Sequence, residues 1–396
     1  MKAYHQRLVL AVVLAMSTRL YAYGQVATLP LVTDLDSHGV TQKQLDTVAE
    51  TMQDAVEQQQ IAGCSFLLAH DGEILFRKAF GYADIDSKRP FTVDELVPIA
   101  SVSKPFLASV IMALVDQGKL NLDDPVEMYL PAFKDVNVRG NTLPVQPMTL
   151  RHLLSHTAGF WGNKGISAEK IDLIRNFQRP LREAVSRMAT YELEYQPGTR
   201  FVYSGSGYCV AGRVAEVVLG QSLETIARET LFQPLGLQHT TYLPSNTIRQ
   251  TVPTAYIRQA NGTLQPQASR SEGDLRFILP GGSLFTTLDE LAVFGCMHLN
   301  DGVCKGRRVL SEESITEMRT VQSPSKTART YGLGWSLDRV NESGRAHRVS
   351  HGGAMGAYLV VDRKRELVGA FLVCQTAKQV AELKNKLLEN LKLMFP

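Results

Sequence analysis

The chain has 396 residues, of which 44% are hydrophobic and 20% charged, and its formal net charge is +3. This composition suits a globular protein of one or two domains with a large apolar core, and it excludes a low-complexity chain. No block of basic residues occurs, so nothing in the sequence indicates nucleic-acid binding.

The first segment has the pattern of a secretory signal. Lys2 and Arg7 precede a short apolar run at 8–16, and the small residues Ala22 and Gly24 offer a cleavage site before Gln25. The run is too short to span a bilayer comfortably. We expect a signal peptide over 1–24, export to the periplasm or out of the cell, and no stable membrane span after cleavage. An uncleaved anchor is the alternative.

A helix and a hairpin are predicted next. Thr41–Gln44 has the sequence of a capping box, which begins a helix. Four apolar residues fall on one stripe of that helix: Leu45, Val48, Met52 and Val56. The apolar run Cys64–His70, the turn Asp71-Gly72 and the returning run Glu73–Tyr82 predict an antiparallel hairpin.

Ser101-Val102-Ser103-Lys104 then opens a strongly apolar helix. Residues three apart share a helix face, so the Ser101 hydroxyl can pass its proton to the Lys104 amine. Such a pair is a nucleophile with its own base. Pro105 is tolerated only in a first turn, which places the helix start near Ser101. The alternative is a capping serine with a solvated lysine.

The Ser-x-x-Lys pattern occurs at two further places, so it is not specific by itself. Ser167 precedes Lys170 where an N-cap is expected, and Ser323 precedes Lys326 in a proline-broken loop. Only the pair that includes Ser101 opens a helix suited to the core.

The remaining chain divides into helical patches and then strands. Helices are predicted at 149–154, 168–177, 180–190, 206–219 and 222–230, and a final helix at 377–394. Strands are predicted at Tyr331–Leu337, His347–His351, Ala357–Val361 and Leu367–Val373. We therefore predict an α+β fold, in which an antiparallel sheet flanked by helices (30–110 plus 275–396) packs beside a helical lobe (111–274). An active site would lie in the cleft between them.

The five cysteines give no disulfide framework, because their number is odd. Cys296 and Cys304 flank a turn and could pair in an oxidising compartment, or the cysteines are small buried hydrophobes. His152 and His156 lie four apart, but no Asp, Glu or Cys completes a ligand set at a familiar spacing. We predict no metal and no cofactor.

Further motifs follow Ser101 in a distinctive order: Thr149–Gly159, Tyr203–Tyr208, Pro280–Leu284, Tyr331–Trp335 and His351-Gly352-Gly353-Ala354. With these motifs, the chain resembles the serine β-lactamase and penicillin-binding-protein superfamily over roughly 41–396. It is most similar to the class C, D-aminopeptidase and esterase branch. The resemblance implies a β-lactamase/transpeptidase-like fold.

The resemblance also implies a role for individual residues. Ser101 would be acylated, while Lys104 and Tyr203 would share the work of the general base. The backbone N–H groups of Ser101 and Ala354 would form the oxyanion hole. Three glycines would line the substrate site: Gly205, Gly352 and Gly353.

Two positions depart from the family pattern. Gly205 stands where β-lactamases and transpeptidases carry the Asn of Tyr-x-Asn, so the amide that grips a substrate amide is expected to be missing. His351 stands where they carry the Lys of Lys-Thr-Gly, and a neutral histidine has no permanent charge. His351 could donate to a leaving group or polarise a carbonyl, or merely close the cleft.

We therefore predict a secreted serine hydrolase that cleaves small ester or amide substrates through an acyl-enzyme on Ser101, with esters favoured. The alternatives are a D-amino-acid peptidase or amidase, a weak β-lactamase, and a penicillin-binding protein without turnover. Transfer of the acyl group to another alcohol is also open.

Overall fold

The computed structural model describes residues 28–140, 142–163, 165–267, 277–325 and 329–396. The predicted signal peptide lies outside these ranges, as does Lys326 of the third Ser-x-x-Lys pair. Among the helices in the described ranges, none is long and apolar enough to cross a membrane.

The strands are concentrated in one large sheet. The described strands are β1 Gly63–His70, β2 Glu73–Asp84, β3 Arg89–Pro90, β4 Val97–Pro98, β5 Tyr256–Arg258, β6 Leu264–Pro266, β7 Phe285–Thr286, β8 Val303–Cys304, β9 Arg307–Arg308, β10 Ser336–Val340, β11 Ala346–Gly352, β12 Tyr358–Asp362 and β13 Leu367–Val373. Seven of them form an antiparallel sheet in the order β10-β11-β12-β13-β1-β2-β3. Phe66 of β1 lies opposite Phe371 of β13, so the two ends of the chain meet in this sheet, as predicted.

Helices cover the sheet and fill the middle of the chain. The described α-helices are Gln42–Glu57, Ser103–Asp116, Val126–Tyr129, Leu150–Leu154, Ala168–Arg175, Leu181–Met188, Gly205–Leu219, Leu223–Ala227, Gln233–Leu235, Asn246–Arg249, Leu288–Leu299, Glu312–Met318 and Ala381–Met394. The α+β prediction is confirmed. The boundaries drawn for the two lobes stay a prediction.

The first helix and the hairpin form as the sequence predicted. Thr41 and Gln44 exchange both hydrogen bonds of a capping box. The buried stripe uses Ala55, while Val56 is only partly buried. Asp71 and Gly72 have φ of 50° and 78°, and two left-handed residues give the turn the twist that a hairpin needs.

One buried helix of the core was not predicted. The helix Leu288–Leu299, here called the central helix, is buried on all sides and packs against β12, β13 and β1. Its Phe294 stacks on Phe106 of the helix Ser103–Asp116, here called the nucleophile helix, with ring centroids 3.6 Å apart. A mostly apolar helix that is buried on all sides shows little amphipathic periodicity, so the last third of the chain was wrongly expected to consist mainly of strands.

The strand predicted at Tyr331–Leu337 is also wrong, since the strand begins at Ser336. Gly332 donates its N–H to the carbonyl of Trp335, and Gly334 has φ of 82°. An ideal Cβ on Gly332 would lie 2.2 Å from the carbonyl oxygen of Met318, so this segment is a tight turn pressed against another backbone.

All five cysteines are buried free thiols. Cys296 and Cys304 are therefore unpaired, and burial raises the pKa of the Cys296 thiol to about 12. They behave as small buried hydrophobic residues, which was the alternative to a disulfide.

Candidate active site

Ser101 lies in a 3-10 turn, Ala100–Val102, that leads directly into the nucleophile helix. Ala100 has φ of 47°, which is uncommon for a residue with a side chain and turns the backbone just before Ser101. Ser103 fixes the turn, because its Oγ donates to the Ala100 carbonyl at 2.5 Å and accepts from the Leu284 N–H at 3.1 Å. The Ser101 side chain is consequently held at a defined point of a rigid turn, where it is only partly buried.

Lys104 reaches back from the nucleophile helix to Ser101. Its Nζ lies 3.1 Å from Ser101 Oγ and 2.8 Å from the carbonyl oxygen of Gly281, and the residue is only 2% exposed. An ideal Cβ on Gly281 would lie 3.1 Å from Lys104 Cγ and 3.0 Å from the Tyr208 side chain. A glycine at this point therefore lets the Pro280–Leu284 segment hold the lysine against the nucleophile, a role that the sequence did not reveal.

Tyr203 completes the predicted trio. The face of its ring lies 4.8 Å from Lys104 Nζ. The next residue, Ser204, caps the helix Gly205–Leu219 and donates its backbone N–H to Nδ1 of His156 at 3.1 Å. The structure thus brings Tyr203 together with the neighbouring pair Ser101 and Lys104, although Tyr203 comes from a distant part of the chain.

His351 is the last residue but one of β11, and its ring lies 6.2 Å from that of Tyr203. Its Nδ1 lies 3.0 Å from the Gly352 carbonyl, which can only accept, so Nδ1 carries the proton. Its Nε2 then accepts from the Tyr331 hydroxyl at 3.1 Å. Burial, reinforced by the charge of Lys104, lowers the pKa of His351 to about 3, so the ring is neutral at pH 7. Both ring nitrogens are occupied by protein groups, and the catalytic role of His351 stays a prediction.

Gly353 allows β11 to approach the nucleophile turn. An ideal Cβ on Gly353 would lie 2.3 Å from the carbonyl oxygen of Ile99 and 3.4 Å from Cβ of Ala100. Only a glycine permits this contact between two backbones, which places Ala354 beside the turn that carries Ser101. Gly352 is different, because its Cβ would meet only the Tyr358 ring at an ordinary 3.5 Å. The oxyanion hole of Ser101 and Ala354 stays a prediction that this packing makes geometrically reasonable.

A cluster of aromatic rings packs around His156 beside the site. The His156 ring lies 4.4 Å from that of Tyr203, 5.1 Å from that of Tyr208 and 4.9 Å from that of Tyr331. Burial and the nearby Lys104 charge hold the pKa of His156 well below its usual range. His152 instead accepts from the Thr149 N–H, so the two histidines serve separate backbone contacts. In the ranges that the structure covers, no three His, Cys, Asp or Glu residues form a metal-binding group.

Two side chains that the sequence analysis missed border the site. Oδ1 of Asn163 accepts the backbone N–H of Gly205 at 2.9 Å, and Cζ of Arg329 lies 5.7 Å from the centre of the Tyr203 ring. Gly205 carries no side-chain amide of its own, and the amide of Asn163 contacts its backbone from another segment. Asn163 lies four residues after Gly159, which ends the Thr149–Gly159 motif, and no spacing rule connects it to Gly205.

Comparison with known proteins finds a matching family model and similar sequences. The family model described as Beta-lactamase matches residues 48–391. Penicillin-binding protein 4 of Amycolatopsis lactamdurans is 30% identical over 324 residues, which cover 79% of this chain and 80% of that protein. Esterase EstB of Burkholderia gladioli is 33% identical over 239 residues, which cover 58% of this chain and 57% of the esterase, so the match spans little more than half of the esterase.

Solved structures show the same fold. EstCE1, a hydrolase with promiscuous acyltransferase activity, matches with a TM-score of 0.76 and 23% identity over 87% of this chain and 98% of its own. A penicillin-binding protein homologue from Pyrococcus abyssi, an octamer, matches with a TM-score of 0.68 and 23% identity over 86% of this chain and 77% of its own.

Proposed function

The chain belongs to the beta-lactamase family, and from this premise we propose that it is a serine hydrolase that cleaves small esters through an acyl-enzyme on Ser101. The observation that carries the proposal is the contact of Lys104 Nζ with Ser101 Oγ at 3.1 Å in a buried setting. A general base so placed typically contributes 10²- to 10⁴-fold to the rate, to order of magnitude.

The geometry supports the following sequence of steps. Ser101 Oγ attacks the ester carbonyl while its proton passes to Lys104 Nζ. The N–H groups of Ser101 and Ala354 donate to the oxygen that becomes negative. The bond to the leaving alcohol then breaks, and the alcohol takes up the proton from Lys104, directly or through the Tyr203 hydroxyl. Water attacks the acyl-enzyme, its proton follows the same route, and Ser101 is restored as the acid is released.

Two features favour ester substrates. His351 is neutral where the family pattern has a lysine, so this position offers no fixed charge to a substrate carboxylate. An alcohol also leaves more readily than an amine, so the reaction depends less on a strong acid near the leaving group. The esterase among the relatives is consistent with this preference.

The relatives also define the outcomes that the experiment must separate. Because one relative is a penicillin-binding protein, a protein that is acylated and does not turn over is an alternative to the esterase. A weak β-lactamase and a D-amino-acid peptidase or amidase share the same nucleophile. Acyl transfer needs only an alcohol in place of water at the second step.

Export remains part of the proposal, with residues 1–24 as a cleaved signal. Sequencing the amino terminus of protein recovered from the periplasm or the medium tests it. A terminus close to residue 25 supports export, whereas an intact Lys2 and Arg7 in cell-associated protein contradicts it.

The direct test follows product release from p-nitrophenyl butyrate and from a chromogenic cephalosporin over time. We expect steady ester turnover and little cephalosporin cleavage, and we expect Ser101→Ala to abolish both. Ser167→Ala is the matched control, because Ser167 also precedes a lysine by three residues but only caps a helix. Ester turnover that persists in Ser101→Ala overturns the proposal, and fast cephalosporin turnover makes the protein a β-lactamase.

A further inference from the structure

A small cavity lies between the central helix and the outer strands of the large sheet. His298 of the central helix, Arg319, Trp335 and Arg363 line it, together with His347 of β11. The space open to the centre of a water-sized sphere is about 10 Å³, which suits one water molecule or one monatomic ion. None of the lining residues belongs to the candidate active site, so the proposed ester hydrolysis does not account for this cavity.

Two buried hydrogen-bond donors in the wall of the cavity lack a partner in the part of the chain that the structure describes. They are Nε of Arg319 and Nε1 of Trp335. Trp335 as a whole is only 1% exposed, so bulk water does not satisfy its indole N–H. Buried donors are almost always paired in folded proteins. The cavity is the space beside both nitrogens in which a shared partner fits.

Positive charge dominates around the cavity. Arg319 and Arg363 line it, and Arg345 adds a third guanidinium close enough to act on the Arg319 charge. The carboxylates that act on Arg319 are those of Asp301 and Glu312, and Asp301 already accepts from Arg363 Nη2 at 2.7 Å. Burial, reinforced by the charge of Arg363, lowers the pKa of Arg319. The protein groups therefore compensate this guanidinium only in part.

The chemistry of the two donors favours an anion over a water molecule. Guanidinium and indole N–H groups only donate, so neither accepts a hydrogen from a buried water. An anion needs donors alone, and its charge also offsets the cost of burying the guanidinium. His298 does not compete for the anion, because its pKa of about 3 leaves it neutral at pH 7 and its Nε2 lies 3.1 Å from Ser109 Oγ.

We infer that this cavity binds a small monovalent anion such as chloride, held by the N–H groups of Arg319 Nε and Trp335 Nε1. Trp335 ends the turn Tyr331–Trp335, and Gly334 of this turn packs against the nucleophile helix, where its ideal Cβ would lie 2.7 Å from Cβ of Ala108. The anion is thus a structural ligand that fastens this turn to the core. The inference is independent of the proposed esterase function, and it stands even if the protein hydrolyses no ester.

The test measures the melting temperature of the full chain while sodium chloride replaces sodium gluconate at constant ionic strength. Gluconate is too large for the cavity, so the comparison cancels general screening of charges. A ligand that binds only the folded protein stabilises it as its concentration exceeds the dissociation constant. At ten times that constant, chloride should raise the melting temperature by about 2–4 °C, and bromide should act in the same way.

Two variants each remove one donor. Arg319→Met should abolish the chloride-dependent rise, because it removes both a donor and the charge. Trp335→Phe keeps a ring stacked on Phe294 and removes only the indole N–H, so it should at least halve the rise. Arg345→Met is the matched control, since Arg345 pairs with Thr320 next to Arg319 but is exposed, and it should keep the full rise.

Crystals soaked in sodium bromide locate the ion directly. An anomalous peak should lie beside Arg319 Nε and Trp335 Nε1. Equal melting temperatures in chloride and gluconate overturn the inference, as does a rise that persists undiminished in Arg319→Met or in Trp335→Phe. A bromide peak in the cavity without any chloride-dependent melting temperature means binding at crystal concentration only, and it overturns the inference as well.

Discussion

Replacing Gly353 with alanine should disable the active site while leaving the protein folded. The added Cβ would lie 2.3 Å from the carbonyl oxygen of Ile99, roughly 1 Å inside the distance that carbon and oxygen tolerate. The backbone of β11 must therefore retreat from the turn that carries Ser101, and the Ala354 N–H retreats with it. A misplacement of about 1 Å can cost on the order of 100-fold in rate, and loss of one oxyanion donor costs about 100- to 1,000-fold.

The assay measures kcat for p-nitrophenyl butyrate together with the melting temperature. Gly63→Ala is the matched control. Gly63 lies in β1, and an ideal Cβ on it would lie 2.6 Å from the carbonyl oxygen of Tyr82 in β2. Both substitutions overpack a contact and should cost about 1–3 kcal/mol of stability, but only Gly353→Ala should lose the rate. A folded Gly353→Ala protein with a kcat within twofold of wild type would refute the reasoning, and so would an equal loss in folded Gly63→Ala.

Three further substitutions probe the proton acceptor and the buried histidines. Lys104→Gln should lower kcat about 100- to 10,000-fold without unfolding the protein, and a tenfold or smaller loss would mean that another group accepts the proton. Tyr331→Phe should cost about 1–3 kcal/mol, measured by urea unfolding, because Nε2 of His351 loses its donor in a buried site; unchanged stability would argue against that hydrogen bond. Burial lowers the pKa of His298 to about 3. As the pH falls below about 6.5, this histidine takes up a proton in the unfolded chain before it does so in the folded protein. Stability that is present at pH 7 is therefore lost toward pH 3. Between pH 7 and pH 5 this loss is about 2 kcal/mol, and His298→Gln should flatten the dependence by that amount; an unaltered pH slope in the variant would contradict it.

Local patterns with a direct physical cause were predictable from the sequence. The Thr41–Gln44 capping box and the Asp71-Gly72 turn depend on neighbouring residues, and both form as expected. The strand Leu367–Val373 was predicted with its observed bounds, since a short apolar run followed a turn. The nucleophile helix was predictable because Pro105 confines its start to one turn.

Features that depend on tertiary contacts were not predictable in this way. The central helix has no polar face, so no periodicity marked it. Gly332 and Gly334 turn the backbone where apolar residues alone suggested a strand. Gly281 and Asn163 reach the site by contacts across the fold, with the side chain of Lys104 and the backbone of Gly205 respectively. The spacing of residues in a single sequence does not indicate such contacts between distant segments.

The central claim is a covalent acyl intermediate on Ser101. Its most direct test is to mix the enzyme with p-nitrophenyl butyrate, quench the reaction in acid within the first turnovers, and map the acylated peptide by mass spectrometry. The account predicts one butyryl group on the peptide that contains Ser101, present in wild type and absent from Ser101→Ala. A butyryl group on another residue, or full turnover with no acylated peptide in wild type, would contradict it.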